Sequence, residues 1–213
     1  MPHNRASESR GQVGDVVILF GAPSSDLDGP FGQLTLVVAD PKVFGITHVV
    51  VTPDDVSADA RLVPIGAVSA GDGQKILLNC PRVQSLGMPA AVTYGFAPDT
   101  TSIDGAAWTL AGGTVLRNAP PGGWTGAAYE AIPAGSVGLR RDQPVRATDA
   151  MIGRLIGVVV DLGAQQLKRL ILAEGHLFSK KNVSFEIDVI MDLAEDVRLN
   201  ITKQQADAVA RPY

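Results

Sequence analysis

The sequence predicts a mainly β protein, with two small antiparallel β-barrels in tandem and a short C-terminal helix. Three observations lead to this fold class. Segments of the first half recur in the second half. Short runs of Val, Ile, Leu and Thr alternate with clusters of Gly, Pro and Asp, and helical patterns cover only a few residues. Short strands expose their edges, and curling a sheet into a barrel removes most of them.

The internal repeat has an offset of 121 residues. Four segments recur in the same order, at this offset or within one residue of it: GQLTLVVAD (32–40) as GRLIGVVVD (153–161), ITHVVV (46–51) as LKRLIL (167–172), RLVPIGAV (61–68) as VSFEIDVI (183–190), and QKILLN (74–79) as EDVRLN (195–200). A repeated unit of this length indicates two copies of one structural module.

The repeat divides the chain into four predicted parts: a disordered arm (1–13), a first barrel-like domain (14–88), a linker rich in Gly, Pro and Ala (89–138) and a second barrel domain (139–213). Each domain is close to the lower size at which one core can hold a fold alone. We therefore expect the halves to pack against each other or against another copy. Trp108 and Trp124 in the linker favour its contact with a surface.

Strands are predicted where short apolar runs end at turn-forming residues. In the first half these are Val16–Phe20, Leu34–Ala39, Thr47–Thr52, Arg61–Ile65 and Ile76–Leu78. In the second half they are Val145–Ala147, Leu155–Asp161, Leu167–Ala173, Val183–Ile187 and Val197–Asn200. The alternation of these runs predicts a buried core at Val37, Val49, Val51, Leu78, Val158, Leu170, Leu172 and Leu199.

Two short helices are predicted from their terminal residues. Pro81 and Gly87 bracket one or two helical turns, in the order that favours Pro at the start and Gly at the end. Thr202, followed three residues later by Gln205, forms a capping-box pattern, and the Ala-rich run beyond it has good helix propensity. We expect the C-terminal helix to begin near Thr202.

The distribution of charge and the single cysteine limit the classes of function that fit the sequence. Residues 15–88 contain 8 acidic and 4 basic side chains, whereas residues 140–213 contain 10 and 11, so that cations concentrate in the second half. An acidic first half disfavours nucleic-acid binding by the whole chain. Cys80 is the only cysteine, which excludes an internal disulfide and a cysteine-cluster metal site. The N-terminus has no apolar signal segment, and a cytoplasmic location is predicted.

The second half resembles the PRC-barrel family. The resemblance covers about Gln143 to Ala210 and is carried by ATD, IGRLIGVVVD, GHLF followed by Lys180 and Lys181, and VRLNITK. The first half matches only the front of the pattern, because PDDVSAD replaces the GHLF segment. This family is named for the H subunit of the photosynthetic reaction centre and is related to the C-terminal domain of the ribosome-maturation factor RimM. The arrangement also looks like that of soluble bacterial proteins with two such barrels.

The resemblance implies small barrels that dock other macromolecules, with no enzymatic activity and no cofactor. We expect a non-enzymatic interaction or assembly module that binds a protein partner or a second copy of itself. The alternative is an RNA- or ribosome-associated factor of the RimM type, favoured by the cations of the second half. An enzyme acting on a small molecule is the third hypothesis.

Seven residues are predicted to contact the partner: Arg140, Arg141, His176, Leu177, Phe178, Lys180 and Lys181. They combine paired cations with apolar side chains, a mixture that suits a protein surface. The simpler interpretations stay open. GHLFSKK can also be a solvated turn in which Leu177 and Phe178 cover the barrel mouth. The arginine pair can also bind local acids such as Asp142 or Asp149.

No chemical motif points to catalysis or metal binding. The acidic segment around Asp54, Asp55 and Asp59 lacks the alternating acids, central Gly and final Glu of a calcium loop. GAPSSDLDG contains neither a nucleophile elbow nor phosphate-loop spacing. The sequence therefore predicts no metal and no cofactor.

Overall fold

The computed structural model of the protein describes residues 14–55, 58–97, 125–174 and 181–213. The predicted disordered arm (1–13) lies outside these residues. The described strands are β1 (Asp15–Leu19), β2 (Pro23–Asp26), β3 (Gly29–Ala39), β4 (Ile46–Pro53), β5 (Arg61–Pro64), β6 (Val68–Gly71), β7 (Ile76–Leu78), β8 (Val92–Ala97), β9 (Thr125–Glu130), β10 (Val137–Arg140), β11 (Pro144–Arg146), β12 (Met151–Asp161), β13 (Gln166–Glu174), β14 (Lys181–Glu186), β15 (Ile190–Leu193), β16 (Val197–Leu199) and β17 (Arg211–Pro212). The α-helices are α1 (Arg82–Gly87) and α2 (Lys203–Val209), and single 3₁₀ turns occupy Ile65–Ala67 and Ile187–Val189.

The fold is mainly β, with two curled sheets and a couple of helices. The first sheet has the strand order β5-β4-β3-β2-β7-β6, and the second has the order β15-β16-β11-β12-β13-β14-β17. β8 and β9 form a separate antiparallel ribbon inside the predicted linker. The predicted strands Leu34–Ala39 and Thr47–Thr52 lie within β3 and β4, which pair antiparallel as a hairpin.

Each sheet also contains one strand from the opposite half of the chain. β1 pairs antiparallel with β12, so that Val17 lies opposite Val159. β10 pairs antiparallel with β3, so that Gly138 lies opposite Val38. These two pairings are related by the 121-residue offset, and they therefore constitute a reciprocal exchange. Strand pairing thus crosses the boundary between the two predicted domains.

Two parallel strand pairings also follow the same offset. β2 runs parallel to β7 with Ser24 opposite Ile76, and β11 runs parallel to β16 with Val145 opposite Val197. β2 was not predicted, because Ala22–Pro30 contains many turn-forming residues. Its strand conformation is held by pairing on both sides and by the Ser24 hydroxyl, which donates to the carbonyl oxygen of Gly32 at 3.0 Å.

One continuous hydrophobic core connects the two sheets. It contains Ile18 from β1, Val37 from β3 and Val158 from β12, all fully buried. The expected packing of the two halves against each other is therefore present. The eight predicted core positions are confirmed as buried, each with no more than 2% of its surface exposed.

Both predicted helices are present. α1 follows Pro81 and ends at Gly87. At α2, the N–H of Gln205 donates to Thr202 Oγ1 at 3.3 Å, while the N–H of Thr202 donates to Gln205 Oε1 at 2.9 Å. The predicted capping box is confirmed, and it satisfies two donors that a helix start otherwise leaves without partners.

Candidate functional site

An apolar groove of about 270 Å³ lies on the outer face of the first sheet. Strands β3, β4 and β10 and the chain segments on either side of the β8–β9 ribbon form its walls. The lining residues are Thr35, Leu36, Val50, Thr52, Ala60, Ala91, Val92, Ile132 and Arg140. We refer to this feature as the outer groove.

The groove exists because β3 and β4 carry apolar side chains on both faces. Val37 and Val49 enter the main core, whereas Leu36 and Val50 belong to a second, smaller hydrophobic cluster. Adjacent residues of a strand point to opposite faces, so an unbroken apolar run supplies both clusters. The second cluster is completed by small or aliphatic side chains: Val38, Leu62, Ala91, Ala60 and Ile132.

The rim of the outer groove is polar. Thr35 and Thr52 are both exposed, and their hydroxyl oxygens lie 3.5 Å apart. The Thr35 hydroxyl also donates to the carbonyl oxygen of Val50 at 3.4 Å. Arg140 adds a cationic side chain to the wall. The outer groove therefore combines an apolar floor with a few polar groups at its edge, as ligand pockets do.

The base of the β8–β9 ribbon is fixed beside the groove. The N–H of Leu62 donates to the carbonyl oxygen of Pro89 at 2.8 Å, and the N–H of Ala91 donates to that of Ala60 at 2.7 Å. The N–H of Ala131 then donates to the carbonyl oxygen of Ala91 at 2.8 Å. The chain therefore leaves the first sheet and returns to it at the same wall of the groove. Trp108 and Trp124 lie outside the described residues.

The strand exchange places Arg140 at the groove. Arg140 is the last residue of β10 and lies opposite Leu36 of β3, so it belongs to the first sheet although it follows the predicted linker. Its N–H donates to Gln143 Oε1 at 3.2 Å. Gln143 is itself buried and donates to the carbonyl oxygen of Ala194 at 2.6 Å. This network fixes the end of β10.

Arg141 does not line the groove. Its guanidinium donates to the carbonyl oxygen of Phe20 at 3.4 Å and lies 4.0 Å from Asp142. The local pairing with Asp142 that the sequence left open is therefore present, although both side chains are mostly exposed. Asp149 has another role, because it accepts the N–H of Lys203 at the start of α2 at 2.8 Å.

The other predicted contact residues cannot be placed. His176, Leu177, Phe178 and Lys180 lie outside the described residues. Lys181 begins β14 and pairs across the ladder with Glu174 of β13. The segment 175–180 therefore connects these two strands of the second sheet, and its contact role remains a prediction.

The corresponding face of the second sheet is covered by the chain itself. Ile171 is 0% exposed, whereas its counterpart Val50 at the groove is 6% exposed. A Cβ added to Gly73 would lie 2.8 Å from the Tyr213 hydroxyl, 3.3 Å from Val17 and 3.5 Å from Leu19, so these three side chains meet there. The residues equivalent to Val17 and Leu19 in the first sheet are Gly138 and Arg140. The first sheet therefore has a glycine and an arginine where the second sheet has a valine and a leucine. With these residues, the groove on the first sheet is open.

A buried carboxylate lies at the other end of the first sheet. The Asp26 side chain is fully buried, and Arg82 Nε lies 2.5 Å from one of its oxygens. Burial raises the pKa of Asp26, but hydrogen bonds from the Arg82 guanidinium and the Asp28 N–H outweigh it, so this pKa lies below its usual value. Arg82 also donates to the carbonyl oxygen of Pro30 and lies 5.3 Å from the centre of the Phe31 ring. All these partners tie α1 to the β2–β3 turn, which is a structural role.

His48 and Cys80 offer no catalytic arrangement. His48 Nδ1 is buried without a hydrogen-bond partner among the described residues, and burial lowers the pKa of this imidazole. Cys80 is buried, and its sulfur lies 3.2 Å from the hydroxyl of Ser85. Within the described ranges, no three His, Cys, Asp or Glu side chains converge as a metal site would require.

The sequence did not reveal the outer groove. In the sequence, the groove residues look like ordinary core or linker positions: Leu36, Val50 and Ala91. Only pairing between distant segments brings them together. One signal was present: the unbroken run Leu36–Ala39 is typical of a strand buried on both faces. Arg140 was identified from its charge, without the groove beside it.

Comparison of the chain with protein-family models gave no match, and comparison with curated protein sequences gave none either. In the described part of the chain, no helix combines the length and the apolar character needed to cross a membrane.

Proposed function

We propose that this chain is a non-enzymatic protein-interaction or assembly module, built from two PRC-type barrels in tandem, and that the outer groove receives an apolar element of its partner. The observation that carries this proposal is the apolar floor of Leu36, Val50 and Ala91 beneath a polar rim. Binding pockets typically combine these two properties.

The strand pairing supports the tandem architecture. Many features correspond between the halves at an offset of 121 residues: the parallel pairs, the hairpins, the exchanged strands and the helix starts. The two sheets are curled, as partly closed barrels are. The outer groove lies on the first copy, and copies of one scaffold can differ in what they bind.

The described cations favour a protein partner over RNA. Lys168 lies 2.7 Å from Asp15 and 3.2 Å from Asp161, and Arg146 lies 2.6 Å from Asp196. Such pairing reduces the positive charge that the second half presents to phosphates. An RNA- or ribosome-associated role of the RimM type is therefore the alternative outcome of the test below.

The test compares two threonine variants. Thr35→Glu places a charge at the groove rim, whereas Thr47→Glu is the matched control, because both hydroxyls donate to a backbone carbonyl at 3.4 Å. The position equivalent to Thr47 carries Lys168, so a long charged side chain fits there. Tagged wild-type and variant chains are purified from the native host after crosslinking, and the associated proteins and RNA are quantified.

We expect proteins that associate with the wild type and with Thr47→Glu to be depleted with Thr35→Glu. Equal capture by all three chains would contradict the role of the groove. Recovery of RNA that decreases by orders of magnitude between about 50 and 200 mM salt would instead support the ribosomal alternative.

A further inference from the structure

Helix α1 exposes apolar side chains to solvent. Val83 is 79% exposed and Leu86 is 40% exposed, and their spacing of three residues places them on one side of the helix. Leu27 is 65% exposed and is held at the start of α1, because its N–H donates to the carbonyl oxygen of Cys80 at 3.1 Å. We call Leu27, Val83 and Leu86 the α1 patch.

The second half provides an internal comparison. α2 is held in the same way as α1: Lys203 N–H donates to Asp149 at 2.8 Å, as Arg82 N–H donates to Asp28 at 2.6 Å. The residues equivalent to the α1 patch are Thr148, Gln204 and Asp207, all polar and all exposed. A fourth pair, Leu77 on β7 and Arg198 on β16, follows the same pattern.

The comparison with α2 shows which side chains of the α1 patch the fold does not require. Polar residues at these positions are compatible with the same helix, the same turn and the same hydrogen bond, so the apolar side chains are not needed for the fold. Single exposed apolar residues are ordinary. A group of three around one helix, replaced by polar residues at every equivalent position, indicates a surface that is covered in the assembled protein.

The charges around the α1 patch favour a second copy as the covering partner. The Arg82 side chain is 37% exposed. Its pKa is raised mainly by the hydrogen bond to Asp26, and the nearby carboxylates of Asp28 and Asp54 raise it further. A surface with an apolar centre and both signs of charge at its edge can pair with itself. Across a two-fold axis, the exposed carboxylates of Asp28 and Asp54 in each copy can lie beside the exposed part of the Arg82 side chain of the other, which keeps its own bonds to Asp26.

We propose that the α1 patch is the contact surface of a symmetric homodimer, in which two copies of this chain bury Leu27, Val83 and Leu86 against each other. The contact is isologous, since the same surface is used on both copies. It is separate from the outer groove, and either surface can fail its test without affecting the other.

The test transplants the residues of the second half into the first. The variant Leu27→Thr, Val83→Gln, Leu86→Asp is compared with the full-length wild type by sedimentation equilibrium over a wide concentration range. The control variant, Met151→Gln with Met191→Gln, removes two exposed apolar side chains from the second sheet. Circular dichroism and thermal melting establish that each chain is folded.

We expect the wild type and the methionine control to dimerise and the triple variant to remain monomeric. If the triple variant does not fold, Val83→Gln alone, at the most exposed position, is expected to weaken dimerisation by about tenfold or more. A monomeric wild type, or unchanged dimerisation of the folded triple variant or of Val83→Gln, would overturn the proposal.

Discussion

Phe44 and Gln165 hold the same left-handed backbone conformation, with φ of 54° and 53°, at positions 121 residues apart. The carbonyl oxygen of Gln165 accepts the N–H of Ile46 at 2.7 Å, and that of Phe44 accepts the N–H of Leu167 at 3.0 Å. Each turn therefore binds the strand that follows the other turn. This reciprocal contact joins the two sheets beyond the exchanged strands.

The left-handed conformation at Gln165 leads to a prediction about stability. A left-handed conformation costs an ordinary residue about 1 to 2 kcal/mol and costs glycine much less. We expect Gln165→Val to lower the free energy of unfolding by about 1 to 2 kcal/mol relative to Gln165→Gly, since a β-branched side chain is least compatible with positive φ. Urea denaturation of both variants measures this difference, and equal stabilities would contradict it.

Gly32 is predicted to be intolerant of any side chain. A Cβ there would lie 2.7 Å from the Cα of Pro53 and closer still to the carbonyl oxygen of Thr52. We expect Gly32→Ala to cost about 1 to 3 kcal/mol, because the neighbouring strand must move away. Gly87→Ala is the control, since a Cβ there meets nothing within 4 Å and the residue lies at the end of α1. Similar melting temperatures for the two variants would refute this expectation.

Leu199 tests the packing of the shared core. It is 1% exposed, and truncation to Ala is expected to lower the free energy of unfolding by about 2 to 5 kcal/mol. Arg198 is its exposed neighbour on β16, and Arg198→Ala is expected to change stability by less than about 0.5 kcal/mol. Denaturant unfolding measures both effects. A loss within measurement error for Leu199→Ala would show that its side chain does not contribute to the core.

His48 predicts a pH dependence. Burial lowers its pKa in the folded chain, so the unfolded chain, whose value is near 6.5, binds the proton more strongly. The contribution of His48 to stability is therefore complete above about pH 6.5 and is lost as the pH falls from there through the lower folded pKa. Between pH 7.5 and 5.5, we expect the free energy of unfolding to fall less in His48→Gln than in the wild type. His3→Gln is the control, and an unchanged loss in His48→Gln would exclude this cause.

The exchanged strand β1 predicts how an isolated second half behaves. Val16, Ile18 and Phe20 are at most 5% exposed in the full chain, and the fragment 139–213 lacks all three. We expect this fragment to melt well below the full chain and to gain stability when a peptide of residues 14–22 is added, because the peptide can pair with β12. The same peptide with Ile18→Asp serves as the control. A fragment that is as stable as the full chain and indifferent to the peptide would contradict the prediction.

Local sequence signals predicted much of the fold. The capping box at Thr202 is confirmed because the pattern is contained within four residues. Core positions such as Val37 and Leu170 are confirmed because alternation along a strand selects its buried face. Strand β7 begins and ends at the predicted residues, where Gln74 and Lys75 precede the apolar run and Asn79 follows it.

The pairing of strands from distant segments could not be predicted from the sequence. Nothing within Val16–Phe20 indicates that this run joins β12 in the second half, because the choice of partner depends on contacts between segments far apart in the chain. The run at Val137–Arg140 contains Gly138 and follows a Gly-rich segment, so its strand was not predicted. The outer groove depends on this strand, and its position therefore could not be predicted either.

The reciprocal exchange also determines when the fold can be completed during synthesis. The ribosome releases β1 first, but Val17 reaches its place only after Val159 has been made. Likewise, β3 has no partner along Leu36–Ala39 on its β10 side until Arg140 has emerged. Two apolar strands therefore lack their final neighbours until β10 and β12 have been made. In the meantime the nascent chain presents open strand edges to chaperones and to neighbouring nascent chains.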